Sequence, residues 1–345
     1  MSVTVRSFAK INLGLCIGAL RPEGFHDLRT IYQTIALHDV IRVEVTRGAG
    51  VEIRCQDPRV PKDQSNTCYR IVEPAMAAFG AKGRVVIEID KKLPVQGGLG
   101  GGSGNAVAVL LALERVFKKQ IATDEKLRIA ADVGSDSPLF LLGGAILGLG
   151  HGEEVYPLPD LRSVACVIAT PEISISTPKA FADWDRLEES AKDAAERAAT
   201  SSKSAKLTAS TPSDRMLMCG RRFSAWLSGL SQNKIKTGKD LSGVLVPRGR
   251  GRAENPLLDL VRTGIENDFE RVVFPQYPEL IKVKRVLEEA GAFYASLSGS
   301  GSAIYGLFAS RPSAAKAVAR LRKSGTPAVA TSTLTRQQYW KKIFD

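Results

Sequence analysis

A glycine-rich segment is the part of the sequence whose residue types and spacing most clearly suggest chemistry. Residues 94–106 read PVQGGLGGGSGNA, and five of the six residues from Gly97 to Gly102 are glycine. Glycines let backbone N–H groups approach an anion closely, and a helix that follows adds unpaired N–H groups and the positive end of its dipole. The segment therefore predicts a polyphosphate site, with the Ser103 hydroxyl either capping a helix that begins near it or contacting a phosphate-bound magnesium ion.

A plain surface turn with Ser103 as its N-cap is the main alternative to a polyphosphate site. A turn needs only one or two glycines, however, and every further one adds to the entropy lost on ordering. The spacing excludes a P-loop and a GxGxxG dinucleotide fingerprint, since neither pattern occurs. Taken alone, a second glycine cluster at residues 298–303 (SGSGSA) could equally be a linker-like turn or part of a binding site. Beside a phosphate loop, we interpret it as a second wall of the same site.

Two charged residues stand in contexts that suit a reaction cleft. Asp136 lies between a glycine and a proline in the segment GSDSPLF, and a fixed carboxylate near an acceptor alcohol often assists phosphoryl transfer. Lys10 and Asn12 share one face of an otherwise apolar strand. Taken one at a time, Asp136 is more simply explained as a helix or turn cap, and Lys10 as an exposed strand residue. The residues themselves therefore leave both a structural and a catalytic role open.

The elements that must position these groups can be predicted from apolar periodicity. Alternating apolar residues indicate strands near 3–8, 11–17 and 41–45, followed by a strand over 85–89. Helical patterns cover 66–79, 105–117, 124–133, 257–271, 277–290 and 312–323. Strands and helices mixed without strict β-α-β alternation predict an α+β fold.

Residues 185–255 differ in character from the rest of the chain. They contain alanine- and charge-rich stretches, a Ser/Thr-rich connector and an amphipathic pattern over 216–230. We interpret this stretch as an insertion or flexible excursion within the second half of the chain.

The composition limits the class of protein. The 345 residues are 44% hydrophobic and carry a formal net charge of +12. Such a charge recruits anions in general, but it is spread along the chain apart from one run at 248–252 (RGRGR), which is weak evidence for nucleic acid binding. The prediction is a small-molecule partner, without nucleic acid and without a membrane.

Cysteine and histidine usage bears on redox state and metals. The five cysteines include no CxxC pair, and no signal peptide or membrane-spanning run is evident, so we expect reduced thiols and a cytoplasmic location. Only three histidines are present, and no structural metal is predicted.

Taken together, the motifs resemble those of the GHMP kinase superfamily, and within it the branch that phosphorylates a cytidine-diphosphate-linked methylerythritol in the non-mevalonate isoprenoid pathway. The resemblance implies an α+β fold of two domains, one like ribosomal protein S5 (residues 1–160) and one ferredoxin-like (161–345) that carries the insertion at 185–255. The segments that carry it are 9–39, 93–106, 134–154, 175–181, 267–270 (NDFE) and 297–308 (LSGSGSAIYGLF), which occur in the order found in the family.

The resemblance also implies roles for single residues. Asp136 corresponds to the catalytic base and Lys10 to the lysine that orients it and keeps it ionised. ATP and Mg²⁺ are the implied cofactors, with Ser103 as a candidate metal ligand, and the protein is expected to be a monomer or weak homodimer. The implied ATP-binding residues are Asn66, Lys91, Pro94, Gln96, Gly97, Gly98, Leu99, Gly100, Gly101, Gly102 and Ser103. The implied substrate-binding residues are Asn12, Phe25, His26, Thr177 and Phe181, with His26 recognising cytosine between two aromatic rings.

Some positions depart from the family pattern. Phe25 stands where tyrosine is usual, Gly104 replaces a second serine, and Ser137 and Leu139 replace a valine and a phenylalanine. Two other functions stay open at this point. One is a GHMP kinase for another alcohol, such as homoserine or mevalonate, and the other is a non-catalytic RNA-binding relative of the fold.

Overall fold

Two long antiparallel strands organise the first half of the molecule. The computed structural model describes residues 2–201, 212–232, 260 and 264–344. Strand β1 (Ser2–Leu20) pairs with β2 (His26–Thr46) along nearly its whole length. Three register shifts interrupt the pairing, and they explain why the sequence predicted separate short strands where the structure has continuous ones.

These strands belong to a six-stranded sheet against which helices pack. Its pairs are antiparallel except for β3 with β4. One core cluster joins the sheet to the first helices. The remaining elements of this half are β3 (Gly50–Cys55), α1 (Thr67–Phe79), β4 (Arg84–Asp90), α2 (Gly101–Phe117), α3 (Thr123–Val133), a short 3₁₀ helix (Pro138–Leu141), β5 (Ala145–Leu149) and β6 (Glu154–Pro157).

The second half contains a four-stranded antiparallel sheet in the order β10-β7-β9-β8. Its elements are β7 (Ala165–Ala169), α4 (Thr177–Ser201), α5 (Pro212–Gln232), α6 (Glu270–Gln276), α7 (Pro278–Glu289), β8 (Tyr294–Leu297), β9 (Ile304–Phe308), α8 (Arg311–Lys323), β10 (Ala328–Ser332) and α9 (Arg336–Lys342). The α+β prediction is therefore confirmed.

The C-terminal helix returns to the first sheet. Tyr339 of α9 packs against Phe8, and Val5 bridges to Phe344. The division predicted at residue 160 falls between the two sheets, and as a domain boundary it stays a prediction.

Two helix predictions in the second half had different outcomes. The amphipathic pattern over 216–230 is confirmed as part of α5, which buries Cys219, Phe223 and Trp226 at helical spacing. The helix predicted over 257–271 is wrong for residues 264–269, because the backbone there bridges to β1 at Leu15 before α6 begins. Residues 257–259 and 261–263, and the basic run at 248–252, lie outside the described residues. Of the helices that the structure describes, none is long and apolar enough to span a membrane.

A disulfide corrects the expectation that all the thiols are reduced. Cys16 of β1 and Cys219 of α5 are bonded although they stand 203 residues apart in the chain, and their Cα atoms are 6.7 Å apart. Because the bond fixes α5 to the strand that also carries Lys10, part of the segment predicted as an excursion is tied to the first sheet. The cysteine count could not reveal this pairing, since only the fold brings the two residues together.

Thiol titration should reveal this disulfide. The native protein is expected to expose at most the half-buried Cys55 to a thiol reagent, because Cys68 and Cys166 are buried and burial raises the pKa of the Cys68 thiol to about 12. Unfolded without reductant, the chain should show three thiols. It should show five only after reduction. Five thiols without reductant would contradict the disulfide.

Candidate active site

The glycine-rich segment is anchored from below by one buried carboxylate. Asp39 of β2 has no exposed surface, and it accepts a bond from Lys91 Nζ at 2.7 Å. The backbone N–H groups of Lys92 and Leu93 each donate to it at 2.7 Å, and Asn105 Nδ2 donates at 3.0 Å. Asp39 thus ties both ends of the segment to the sheet, and sequence reasoning did not single it out.

Helix α2 begins earlier than the sequence suggested. Its N-cap is Gly100 and its first residue Gly101, so Ser103 lies within the first turn and the alternative that Ser103 is the N-cap is wrong. Gly98 and Gly100 have φ values of 74° and 70°, which favour glycine. A Cβ atom on Gly100 would also come within 3.0 Å of Lys10 Cγ. The tight approach of the loop to Lys10 therefore requires glycine at this position.

The second glycine cluster packs directly on the first. Ser298 Oγ donates to the Gly98 carbonyl at 2.9 Å, and the Ala303 N–H donates to the Gly97 carbonyl at 3.2 Å. Asn267, of the NDFE segment, holds the cluster in place by donating to the Leu297 and Gly299 carbonyls at 2.9 and 2.8 Å. The structure thus places the two clusters as adjoining walls.

A cavity of about 360 Å³, here called the glycine cavity, opens over this segment. Arg59 also lines it, and hydrogen bonds from this guanidinium lower the pKa of Asp57 to about 2. The Asn66 side chain caps α1 by accepting from the Cys68 N–H at 2.9 Å. The cavity is lined by all the residues predicted to bind ATP, namely Asn66, Lys91, Pro94, Gln96, Gly97, Gly98, Leu99, Gly100, Gly101, Gly102 and Ser103.

The two charged residues singled out in the sequence meet beside the loop. Lys10 Nζ lies 3.1 Å from Asp136 Oδ2. The Lys10 side chain is only 4% exposed, whereas that of Asp136 is 31% exposed and can reach a ligand. Asn12 accepts a second bond from Lys10 Nζ at 2.8 Å and donates to Thr30 Oγ1, so the lysine is held from both sides.

A larger cavity of about 680 Å³, here called the aspartate cavity, opens at this pair. His26 and Phe181 stack in parallel with ring centroids 5.2 Å apart, and Thr177 Oγ1 lies 2.7 Å from Ser300 Oγ. Phe25 is 55% exposed and stacks on His151 at 4.6 Å. The cavity is lined by every predicted catalytic and substrate-binding residue, that is Lys10, Asn12, Phe25, His26, Asp136, Thr177 and Phe181.

The two cavities adjoin. Gly98, Gly100 and Ser103 line both of them, so the glycine loop forms the partition between them. A group bound along the loop would have its end beside Asp136. This arrangement suits transfer of a phosphoryl group from an anion in one cavity to an acceptor in the other.

Sequence reasoning missed three further residues of the aspartate cavity. Tyr32 donates to Asp136, His151 supports Phe25, and Asp185 Oδ1 lies 3.1 Å from His26 Nε2. Two of them had a signal in the sequence. Tyr32 shares strand parity with His26, and Asp185 follows Phe181 by one helical turn.

Metal ligands are sparse in the part of the chain that the structure describes. There, no group of three or more His, Cys, Asp or Glu side chains could hold an ion. Magnesium commonly binds through substrate phosphates and water with only one or two protein ligands. The Ser103 hydroxyl, at the border of the two cavities, fits that donor set.

Comparisons with known proteins agree with this geometry. Residues 66–144 match the family model described as GHMP kinases N terminal domain, and residues 253–326 match the model described as GHMP kinases C terminal. The chain is 35% identical over 341 residues to a protein of Solibacter usitatus (strain Ellin6076) named 4-diphosphocytidyl-2-C-methyl-D-erythritol kinase, an alignment that covers 98% of this chain and 92% of that protein.

Solved structures share the fold. A crystal structure of 4-(cytidine 5'-diphospho)-2C-methyl-D-erythritol kinase superposes with a TM-score of 0.67 at 26% identity, covering 96% of this chain and 98% of that one. A homoserine kinase from Cytophaga hutchinsonii ATCC 33406 superposes with a TM-score of 0.68 at 18% identity, covering 98% and 96% of the two chains. At that identity the second match shows the fold alone.

Proposed function

Since the chain belongs to the 4-diphosphocytidyl-2-C-methyl-D-erythritol kinases, ATP-dependent small-molecule kinases of the GHMP fold, we propose that it transfers the γ-phosphate of ATP to the 2-hydroxyl of 4-diphosphocytidyl-2-C-methyl-D-erythritol. One observation carries the proposal. The Lys10–Asp136 pair lies beside the glycine loop that separates the two cavities.

The glycine cavity supplies the ATP site in this proposal. Backbone N–H groups at the start of α2 and the positive end of its dipole favour the phosphates. The cations Lys91 and Arg59 line the cavity, each paired with a carboxylate outside its lining, Asp39 and Asp57, and none of the described residues that line the cavity is acidic. Ser103 would hold the magnesium ion, which when bound offsets phosphate charge.

Asp136 acts as the general base in the aspartate cavity. As the 2-hydroxyl oxygen forms its bond to the γ-phosphorus, the bond from that phosphorus to the β–γ bridging oxygen breaks and ADP leaves. The hydroxyl proton passes to the Asp136 carboxylate. Lys10, whose Nζ lies 3.1 Å from Asp136 Oδ2, fixes the direction of this carboxylate.

Phe25, His26 and Phe181 supply the cytosine site. A base stacked on aromatic rings gains about 1–3 kcal/mol. His26 Nδ1 is fixed by the Gly18 carbonyl at 3.0 Å, so the orientation of the imidazole is set before a ligand arrives. In this proposal His26 reads the edge of the base, and Asn12 and Thr177 line the same cavity.

A coupled ADP-release assay tests the substrate. The protein is expected to release ADP with 4-diphosphocytidyl-2-C-methyl-D-erythritol and to turn over mevalonate and homoserine at least about 100-fold less efficiently in kcat/KM, because neither carries a base to stack. His26→Ala should raise KM for the cytidylyl substrate about tenfold while leaving KM for ATP within about twofold. Phe223→Leu in α5 serves as the packing control, because this buried side chain lines neither cavity.

Two outcomes would overturn the substrate assignment. One is preferred turnover of mevalonate or homoserine. The other is an unchanged KM for the cytidylyl substrate in the His26 variant. Steeply salt-dependent RNA binding without ATP turnover would instead favour the non-catalytic relative.

A further inference from the structure

A tyrosine contacts the proposed catalytic carboxylate on the oxygen that faces away from the lysine. Tyr32 of β2 donates from its hydroxyl to Asp136 Oδ1 at 3.0 Å, while Lys10 lies 3.1 Å from Oδ2. Both donors are buried, and Asp136 itself is partly exposed. The two oxygens of Asp136 are therefore held by two different strands. We propose that Tyr32 is a positioning residue of the phosphoryl transfer, which fixes the orientation of Asp136; this inference rests on the proposed function.

The fold provides a close-fitting place for this tyrosine. Any side chain at Gly152, in the turn between β5 and β6, would overlap the Tyr32 hydroxyl. Gly148 of β5 faces the ring edge, where an added Cβ would come within 3.1 Å of Thr30 Cγ2 as well. Lys10 Nζ lies 5.5 Å from the centre of the Tyr32 ring, so the same side chain contacts both members of the catalytic pair. These contacts leave the hydroxyl little freedom to turn away from Asp136.

The charges around the contact keep Tyr32 a donor. Burial, and then the negative charge of Asp136, raise the pKa of the Tyr32 phenol well above its ordinary value, and Glu153 adds to this shift. The tyrosine consequently stays protonated at the pH where a kinase works. The titratable groups that face this part of the cavity are Lys10 from β1, His26 and Tyr32 from β2, His151 and Glu153 from the β5–β6 turn, and Asp185 from α4.

The expected effect follows from what the Tyr32 hydroxyl contacts. It donates to Asp136 Oδ1, so its loss would leave one oxygen of the proposed base without a fixed partner. A less well oriented base slows the transfer step and therefore lowers kcat, while the groups that bind the two substrates stay in place. A residue that only fills space would lower thermal stability without separating kcat from KM in this way.

Tyr32→Phe, compared with Tyr339→Phe, tests the inference. Tyr339 is an equally buried tyrosine, and its hydroxyl donates to the Phe140 carbonyl at 2.6 Å and not to Asp136. We expect Tyr32→Phe to lower kcat at neutral pH about tenfold and to leave both KM values within about twofold. Tyr339→Phe should lower thermal stability but leave kcat close to that of the unsubstituted enzyme.

Two results would overturn the role of Tyr32. One is an unchanged kcat in Tyr32→Phe. The other is an equal change in both variants, which would indicate a general packing effect. Thermal unfolding of each variant shows that the kinetics come from folded protein. Failure of the proposed function is distinguishable, because the unsubstituted enzyme would then not turn over the cytidylyl substrate at all.

Discussion

Replacing Asp136 with asparagine is expected to lower kcat by about 10²–10⁴-fold, the range that a general base typically contributes. Asparagine keeps the shape of the side chain, but its amide cannot take up the proton of the acceptor hydroxyl. KM for ATP should change little, because Asp136 lines the aspartate cavity and not the glycine cavity. Steady-state ADP release across a range of both substrates measures the two effects separately.

A matched control comes from the other carboxylate of the same cavity. The Asp185 carboxylate lies 3.1 Å from His26 Nε2, in the part of the cavity proposed to bind cytosine. The Asp136 carboxylate, in contrast, lies beside Lys10. Asp185→Asn should therefore affect mainly KM for the cytidylyl substrate and leave kcat within a few-fold. If Asp136→Asn keeps more than about a tenth of the original kcat, the base role is wrong.

Replacing Asp39 with asparagine is expected to reduce the free energy of unfolding by about 3–5 kcal/mol, the usual cost of removing one partner from a buried ion pair. The Lys91 ammonium would remain buried without its countercharge, since this side chain is only 9% exposed. An asparagine NH₂ group would also face some of the N–H donors that now point at the carboxylate. Chemical denaturation followed by fluorescence or circular dichroism gives the change.

The neighbouring pair Lys92–Asp90 is the control for this prediction. Its atoms are 3.1 Å apart, but both side chains are more than half exposed, so Asp90→Asn should cost less than about 1 kcal/mol. Because Asp39 anchors both ends of the glycine-rich segment, we also expect KM for ATP to rise in Asp39→Asn and not in Asp90→Asn. Equal stability of the two variants would show that Asp39 is not an anchor.

The local chemistry of the site could be predicted from the sequence, because it depends on neighbours along the chain. Glycine density between a strand and a helix predicted a phosphate-binding loop, and the structure places all of 97–103 on one cavity. The start of α2 was misjudged by two residues, since glycine at Gly101 and Gly102 is a poor helix former and only the packed environment makes it helical.

Pairings across the chain could not be predicted from composition or periodicity. Lys10 and Asp136 had no local feature that joined them, and only the resemblance to a kinase family suggested that they meet. Asp39 stands in no local pattern that marks it as part of a site, and the strand parity that Tyr32 shares with His26 does not reveal its contact with Asp136. Each acts on a partner far along the chain, 104 residues away for Tyr32 and Asp136.

The sequence by itself thus determined the fold class, and it predicted a phosphate loop and, through family resemblance, a set of site residues. Only the tertiary structure decided how they are held. It showed the buried carboxylate beneath the loop, the tyrosine on the second oxygen of Asp136 and the bond between Cys16 and Cys219. The physical reason is that hydrogen bonds, ion pairs and disulfides depend on distance in space, which the register of β1 on β2 and the packing of α5 set and which no short stretch of sequence encodes.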